Sequence, residues 1–374
     1  MSYYILPKNN HIIDIELSVV YEEIKPYTSF SLYYFYNNFL KENEFLIENK
    51  TSKEIIKIIN PYEYIFSVIP GAKVSVSKIP LVNNLFYDFT EIIYSLNIFE
   101  TYIDKKINSI HISPHYLSSI ECIEILRENI IDYNIGMEEY INNFMYSSYD
   151  FIYYELHNDK YENIQFYIIG LLNLLQLIFT SQIKNGICIL KIKSLFHKPI
   201  LDIIYLLSSI YEKIYIIKPN TSNILTYDKY IVCKGFIVNN KKENIHKNFF
   251  NKINSFLNDN SLNENTLNDN FLNNNLKTKN QEFYINICNQ DIPFYFINKI
   301  DDINIILGQQ LLESLNQLIN IIKNKNRELK LENLKKINIQ KCIQWCEKFN
   351  IPCNKFLEKS NIFLPIHDND LENN

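Results

Sequence analysis

Arginine is nearly absent from this 374-residue chain: Arg127 and Arg327 are the only two, so lysine carries almost all the positive charge. The formal charge is −5 and the pI near 5.9, which excludes a globally basic surface. Contact with nucleic acid would therefore have to be a local patch. The excess of Ile, Asn and Tyr has the character of AT-rich coding, so lysine where arginine is usual carries no chemical meaning. A disulfide framework is also lacking. The seven cysteines are odd in number and scattered, mostly through apolar runs, which points to buried thiols in a reducing compartment. The chain does not open on a charged segment followed by an apolar core, so no signal peptide is read. No long apolar run is unbroken either. The most apolar window, Ile164–Thr180, is interrupted by Gln165, Asn173 and Gln176, which favours a buried helix over a membrane span. The expectation is a soluble, cytoplasmic protein with no membrane partner and no DNA partner. Hydrophobic residues at 47% and charged ones at 21% are an ordinary globular balance, enough for one large domain or two smaller ones.

What is present reads as alternating strands and helices. After residue 105, strand patterns fall at Ser109–Ser113, Tyr149–Leu156, Gly186–Lys193, Ile214–Lys218 and Lys229–Phe236. Helical patterns fall at Ser118–Glu128, Glu162–Ile183 and Pro199–Tyr211, where the proline suits a first turn. Such alternation predicts an α/β fold with a mostly parallel sheet. The last two strands are joined by ten residues, too few for a crossover helix, so they should pair antiparallel. Upstream, Asn83–Asn97 reads as a helix; downstream, Asn304–Lys323 and Gln340–Phe349 do too. The stretch 251–280 is Asn-rich without a packing pattern and is expected to be a solvated, mobile insertion. The expected organisation is an aromatic-rich N-terminal extension (1–104), a core (105–250), the insertion (251–280) and a C-terminal helical region (281–374).

Three segments stand out: GICILKIKSLF, IYIIKPNTSN and YDKYIVCKGF, spanning Gly186–Phe236; YDFIYYEL; and LFYDFTEIIYSLNIF followed by IHISPHYLSS. Together they resemble the FtsJ-like RNA 2′-O-ribose methyltransferases, the family that includes viral cap-methyltransferase types. The first is the fullest match, and the second is similar to the family's central strand. The resemblance covers about residues 78–240. It implies a class I methyltransferase-like, Rossmann-like sheet with an antiparallel last strand, carrying helical extensions at both ends.

The resemblance also implies a site. A ribose 2′-hydroxyl must lose its proton as the methyl group arrives, and the family uses a lysine of lowered pKa oriented by a second lysine and two carboxylates. Lys191 takes the position of the base. Glu155 stands where the family has Asp, and Asp228 where it has Glu. Asp88 falls at the first-lysine position with reversed charge; Lys78 is near enough in sequence to be the alternative. Lys218, Ser222 and Asn223, in the Lys-Pro turn, are candidates to face RNA. The S-adenosylmethionine loop should resemble Ala-Pro-Gly-Gly-Phe, whose glycines let the backbone approach the cofactor. Here Ser113, Pro114, His115 and Tyr116 occupy it, and none of the chain's six glycines is there. Only 34 residues separate Pro114 from Tyr149, too few for two βα units of roughly 30 residues each. Part of the adenosine side should be missing.

Bland readings compete at several positions. His111 and His115 have no Cys or acidic neighbour at ligand spacing, so no metal is expected and a structural role is favoured. Cys342, Cys346 and Cys353 read as core packing. Lys213, Lys218, Lys234, Lys241, Lys242 and Lys247 are a solvated surface or a local RNA patch. The reading favoured on balance is a pseudo-methyltransferase: a binding or regulatory subunit in RNA capping or processing, with a protein partner and no cofactor. The small subunit of poxvirus-type capping enzymes is the family precedent. The alternative is an active, S-adenosylmethionine-dependent cap 2′-O-methyltransferase. If viral, its location would be a viral factory or the virion.

Overall fold

The computed structural model describes residues 3–11, 13, 15–20, 24–48, 50–81, 83–142, 148–156, 164–237, 251, 283–324 and 327–354. Residues 252–280 of the Asn-rich stretch, and with them Lys241, Lys242 and Lys247, lie outside the described residues. The chain divides into two compact units, one of residues 1–44 and 85–315 and one of residues 45–84 and 316–374.

The first unit is built on a seven-stranded sheet. Its strands are β1 (Tyr3–Ile5), β3 (Asn108–Ile112), β4 (Tyr133–Gly136), β5 (Tyr149–Tyr154), β6 (Gln182–Ile192), β7 (Tyr211–Ile217) and β8 (Lys229–Phe236), in spatial order β1-β7-β8-β6-β5-β3-β4. The pairs β3–β4, β3–β5 and β5–β6 are parallel, while β8 runs antiparallel to both β6 and β7, as the ten-residue connection requires. Five of the seven strands thus point the same way, in a Rossmann-like α/β arrangement. Val/Ile-rich β6 and β8 are buried along most of their length, as central strands of a covered sheet should be.

The helices follow the expected alternation: α3 (Leu85–Ser95), α4 (Tyr116–Leu126), α5 (Met137–Asn142), α6 (Ile164–Ser181) and α7 (Lys198–Ile210), whose Pro199 lies in the first turn. The apolar helix α6 is long and apolar enough to cross a membrane by length and composition. It buries Tyr167, Ile168, Leu171, Leu172, Leu174, Leu175 and Ile178 in the core of the first unit. At Gly170 an added Cβ would fall 2.2 Å from the end of the Leu156 side chain, which would have to shift to admit it.

Several elements were not foreseen. β1 joins the sheet edge antiparallel to β7. β2 (Ile15–Val20) pairs antiparallel with β9 (Phe283–Cys288) in a two-stranded ribbon. Asp202 of α7, fully buried, accepts the β9 amide of Ile287 at 2.9 Å and the Lys198 ammonium at 3.1 Å. Between Pro114 and Tyr149 the described chain has one βα unit, β4–α5.

The remaining helices are α1 (Phe30–Glu48), α2 (Lys50–Ile59), α8 (Phe294–Lys323) and α9 (Glu328–Lys348). In the second unit α9 lies beside α2 and the single helical turn at Glu63–Ile65. Asn338 donates to the Ile58 carbonyl at 2.7 Å. Cys342 and Cys346 are buried on α9, and burial pushes the Cys346 thiol up to about 12. Lys78 belongs to this unit, where its amide donates to Pro352.

Candidate functional site at the strand ends

β3 is the switch point of the sheet: the chain leaves it for β4 on one side and returns through β5 on the other. In open α/β sheets the crevice outside the carboxyl ends of the strands at such a point is where ligands bind. The residues singled out from the sequence gather there: Ser113 follows β3, Glu155 follows β5, Lys191 ends β6, Lys218 follows β7 and Asp228 precedes β8.

Glu155 is the hub. Its Oε1 accepts the Lys191 ammonium at 2.7 Å. Its Oε2 accepts the Ser113 hydroxyl at 2.6 Å and the Tyr153 hydroxyl at 2.8 Å. Burial alone would push this carboxyl up, but Lys191 and these hydrogen bonds outweigh it and hold it below its ordinary value. For Lys191, burial would lower the pKa, yet Glu155, Asp228 and Asp88 together raise it. The expected base is therefore held as an ammonium. Glu155 thus reaches both the β3 loop and β6.

Asp88 does not meet Lys191 through a hydrogen bond. It sits on α3, a helix buried nearly all round, and accepts three hydroxyls: Thr221 on Oδ1 at 2.6 Å, and Ser222 and Tyr230 on Oδ2, each at 2.8 Å. One turn on, Glu91 Oε2 accepts the amide of Asn220 at 2.9 Å. Two carboxylates three apart on an apolar helix thus clamp the turn after β7. Burial raises the Asp88 pKa despite those bonds and Lys191.

The clamped turn carries the candidates to face RNA. Ser222 is spent on Asp88 and buried. Lys218 is half-buried and turns its ammonium to the Thr226 carbonyl. Burial lowers its pKa to about 8, offset in part by Asp228 and Asp88. Only Asn223 is exposed, and its side-chain oxygen accepts the Leu225 amide. Lys229, which sequence reasoning missed, is fully buried; it donates to the Tyr227 carbonyl at 2.9 Å and lies 4.1 Å from that ring's centre. Burial, with Lys218 nearby, holds its pKa well below normal. Asp228 acts electrostatically on both Lys191 and Lys218, while its Oδ1 has no hydrogen-bond donor among the described residues.

The β3 loop is filled by its own residues. Ser113 receives the His115 amide at 3.0 Å while donating to Glu155, with Pro114 between them. His115 is exposed and precedes α4 as its N-cap residue, without a side-chain cap. The Tyr116 ring lies against Gly136 at the end of β4, so close that a Cβ there would fall 2.3 Å from it. Beneath the loop, buried His111 bridges Ser109 and Ser119, each at 2.8 Å, and burial lowers its pKa to about 3. Both histidine nitrogens are thus used in packing. Among the described residues no group of three or more His, Cys, Asp or Glu is placed to hold a metal. No protein-family model matches the chain, and no curated protein matches it.

Proposed function

We propose that this is a methyltransferase-fold protein of the FtsJ-like type that no longer transfers methyl groups. It serves as a binding or regulatory subunit in RNA capping or RNA processing. The observation that carries this reading is the filled β3 loop, with Tyr116 packed on Gly136 and Ser113 tied to Glu155. S-adenosylmethionine needs open backbone at that place, and the residues present do not fit it. The state of Lys191 agrees: an ammonium fixed at 2.7 Å by a buried carboxylate is a poor acceptor for a ribose proton. In this reading the cluster of Glu155, Lys191, Asp88 and Glu91 ties the strand-end loops into a rigid platform for a partner.

The test is the thermal stability of the full chain with and without S-adenosylmethionine or its demethylated product. A native-state ligand at a hundredfold its Kd adds about 2.7 kcal/mol. No shift is expected; a clear rise in Tm rejects the proposal. The second reading is an active enzyme, in which Lys218, half-buried after β7 with its ammonium on the Thr226 carbonyl and its pKa lowered by burial to about 8, is the amine that loses its proton near neutrality. That reading requires methyl incorporation into capped RNA, lost in Lys218→Met, and the absence of incorporation disposes of it.

A further inference from the structure

Among the described residues, the sheet of the first unit ends at β4. β4 pairs with β3 on one flank and with no described strand on the other. The Tyr133 amide donates to the Ile107 carbonyl at 2.9 Å. By the alternation of a strand, Tyr133 and Ile135 direct their backbone groups to β3, and Asn134 and Gly136 direct theirs away from it. An edge of this kind is a template for pairing with another chain.

The two faces beside this edge differ in chemistry. Asn134 lies on the face that α4 covers: it accepts the Ser109 hydroxyl at 2.6 Å and donates to Glu124 at 3.5 Å. On the opposite face Ile135 is buried in the core, while Tyr133 is 51% exposed and Ile131, just before the strand, 84% exposed. From Ile107 to Asn142 the chain has six carboxylates (Glu121, Glu124, Glu128, Asp132, Glu138 and Glu139) and one base, Arg127. That base is committed to Asp132 at 2.6 Å. The segment's net charge, one minus six, is −5 and equals that of the entire chain. Glu124, Glu128, Glu138 and Glu139 are exposed.

We propose that this edge is a docking strand for a partner protein, which adds an extended segment of alternating basic and apolar residues alongside β4. The backbone of the segment pairs at Asn134, the outward-facing residue of β4 that is partly exposed, while Gly136 is buried. Its apolar side chains lie on the face of Tyr133, and its lysines or arginines on the face of α4 and Glu124. The sign of the charge argues against nucleic acid, and a second copy of the chain would bring the same negative charge to the contact. This surface is separate from the strand-end cluster, and the inference stands whether or not the protein transfers methyl groups.

The experiment uses the full chain and three labelled peptides read by fluorescence anisotropy: an alternating Lys-Val peptide, its Glu-Val counterpart, and the Lys-Val peptide N-methylated at alternate amides. The expected result is salt-sensitive binding of the Lys-Val peptide, at least about tenfold tighter than either control. Hydrogen exchange at Asn134 should slow on binding. The exposed charge reversal Glu124→Lys/Glu128→Lys/Glu139→Lys should abolish binding. Equal binding of the N-methylated peptide reduces the contact to charge alone and overturns strand addition. Protection elsewhere in the chain, or no saturable binding, overturns the site. A dimer in sedimentation equilibrium that Ile131→Lys dissolves would make a second copy the occupant and overturn the basic partner.

Discussion

Replacing Lys191 by methionine removes one half of a buried ion pair and leaves the other half in place. The side chains of Lys191 and Glu155 are 20% and 6% exposed, so water screens the pair little. Breaking such a pair from one side costs about 3–5 kcal/mol. Glu155 keeps the hydroxyls of Ser113 and Tyr153, which places the expected cost near the lower end, about 3 kcal/mol at pH 7. The pH dependence gives the sharper test. In the native protein Glu155 has a depressed pKa, so its contribution is present above the ordinary carboxylate pKa and is lost as pH falls through the folded value. Lys191, raised, contributes fully below the ordinary lysine pKa and loses that contribution only as pH rises through its folded value. Both are complete at pH 7. In Lys191→Met, burial acts on Glu155 without an ammonium to oppose it, so the carboxyl moves upward and the folded variant takes up a proton as pH falls. The gap between native protein and variant, measured by urea unfolding followed by circular dichroism, should therefore narrow from pH 7 to pH 5. Glu155→Gln/Lys191→Met should recover part of the loss, because no charge is left unpaired. A cost below about 1 kcal/mol, the value of an exposed pair, would refute the reasoning, as would an equal cost at both pH values.

Three other outcomes follow from the same geometry. His111 is depressed to about 3 and His197 to about 4, both by burial; stability they supply is present above pH 6.5 and lost as pH falls below it. His111→Gln should flatten that acid-side slope by up to about 1.4 kcal/mol per pH unit, and an unchanged slope in denaturation series would show the imidazole to be solvated. Asp88→Asn turns an amide donor toward one of three hydroxyl donors, so stability should drop by about 1–3 kcal/mol and exchange at Asn220 and Thr221 should quicken; an unaltered urea midpoint contradicts the clamp. Gly235→Ala puts a Cβ on a residue at φ +76°, 2.9 Å from Glu212, and should cost about 1–2 kcal/mol, with Gly235→Asn losing less in Tm; equal stability of all three would argue against the strain.

Most of the sheet was legible because its strands are apolar runs cut off by turn residues. YDFIYY, GICILKI and KYIVCKGF cannot be buried as anything else at that length and spacing. The elements missed are short or paired at long range. Three residues at β1 and four at β4 give no period to read, and β2 with β9 becomes a ribbon only through partners some 270 positions apart. The site divides along the same line. Ser113, Glu155 and Lys191 end adjacent strands, so chain order alone brings them together. The setting of Asp88 depends on Thr221, Ser222 and Tyr230, more than 130 positions away. One signal did exist: Asp88 and Glu91 lie three apart on a helix that is otherwise apolar, and two carboxylates on a buried face need donors.

Those donors explain how a carboxylate is accommodated at position 88 on a buried helix. A lysine at 88 would add a fourth amine to those of Lys191, Lys218 and Lys229 and would leave Thr221, Ser222 and Tyr230 without their acceptor. Asp88 instead takes its hydrogen bonds from neutral hydroxyls, which need no counter-charge, and pins the turn after β7 to α3. With that turn pinned and Ser222 consumed, the Lys218 ammonium is left to the Thr226 carbonyl and the field of Asp228 and Asp88. The carboxylate at 88 and the inward turn of Lys218 thus belong to one arrangement. Asp88→Lys should therefore destabilise the fold through three orphaned hydroxyls and confer no methyl transfer. A stable Asp88→Lys variant that methylates RNA would show instead that the cluster is an active site one substitution from function.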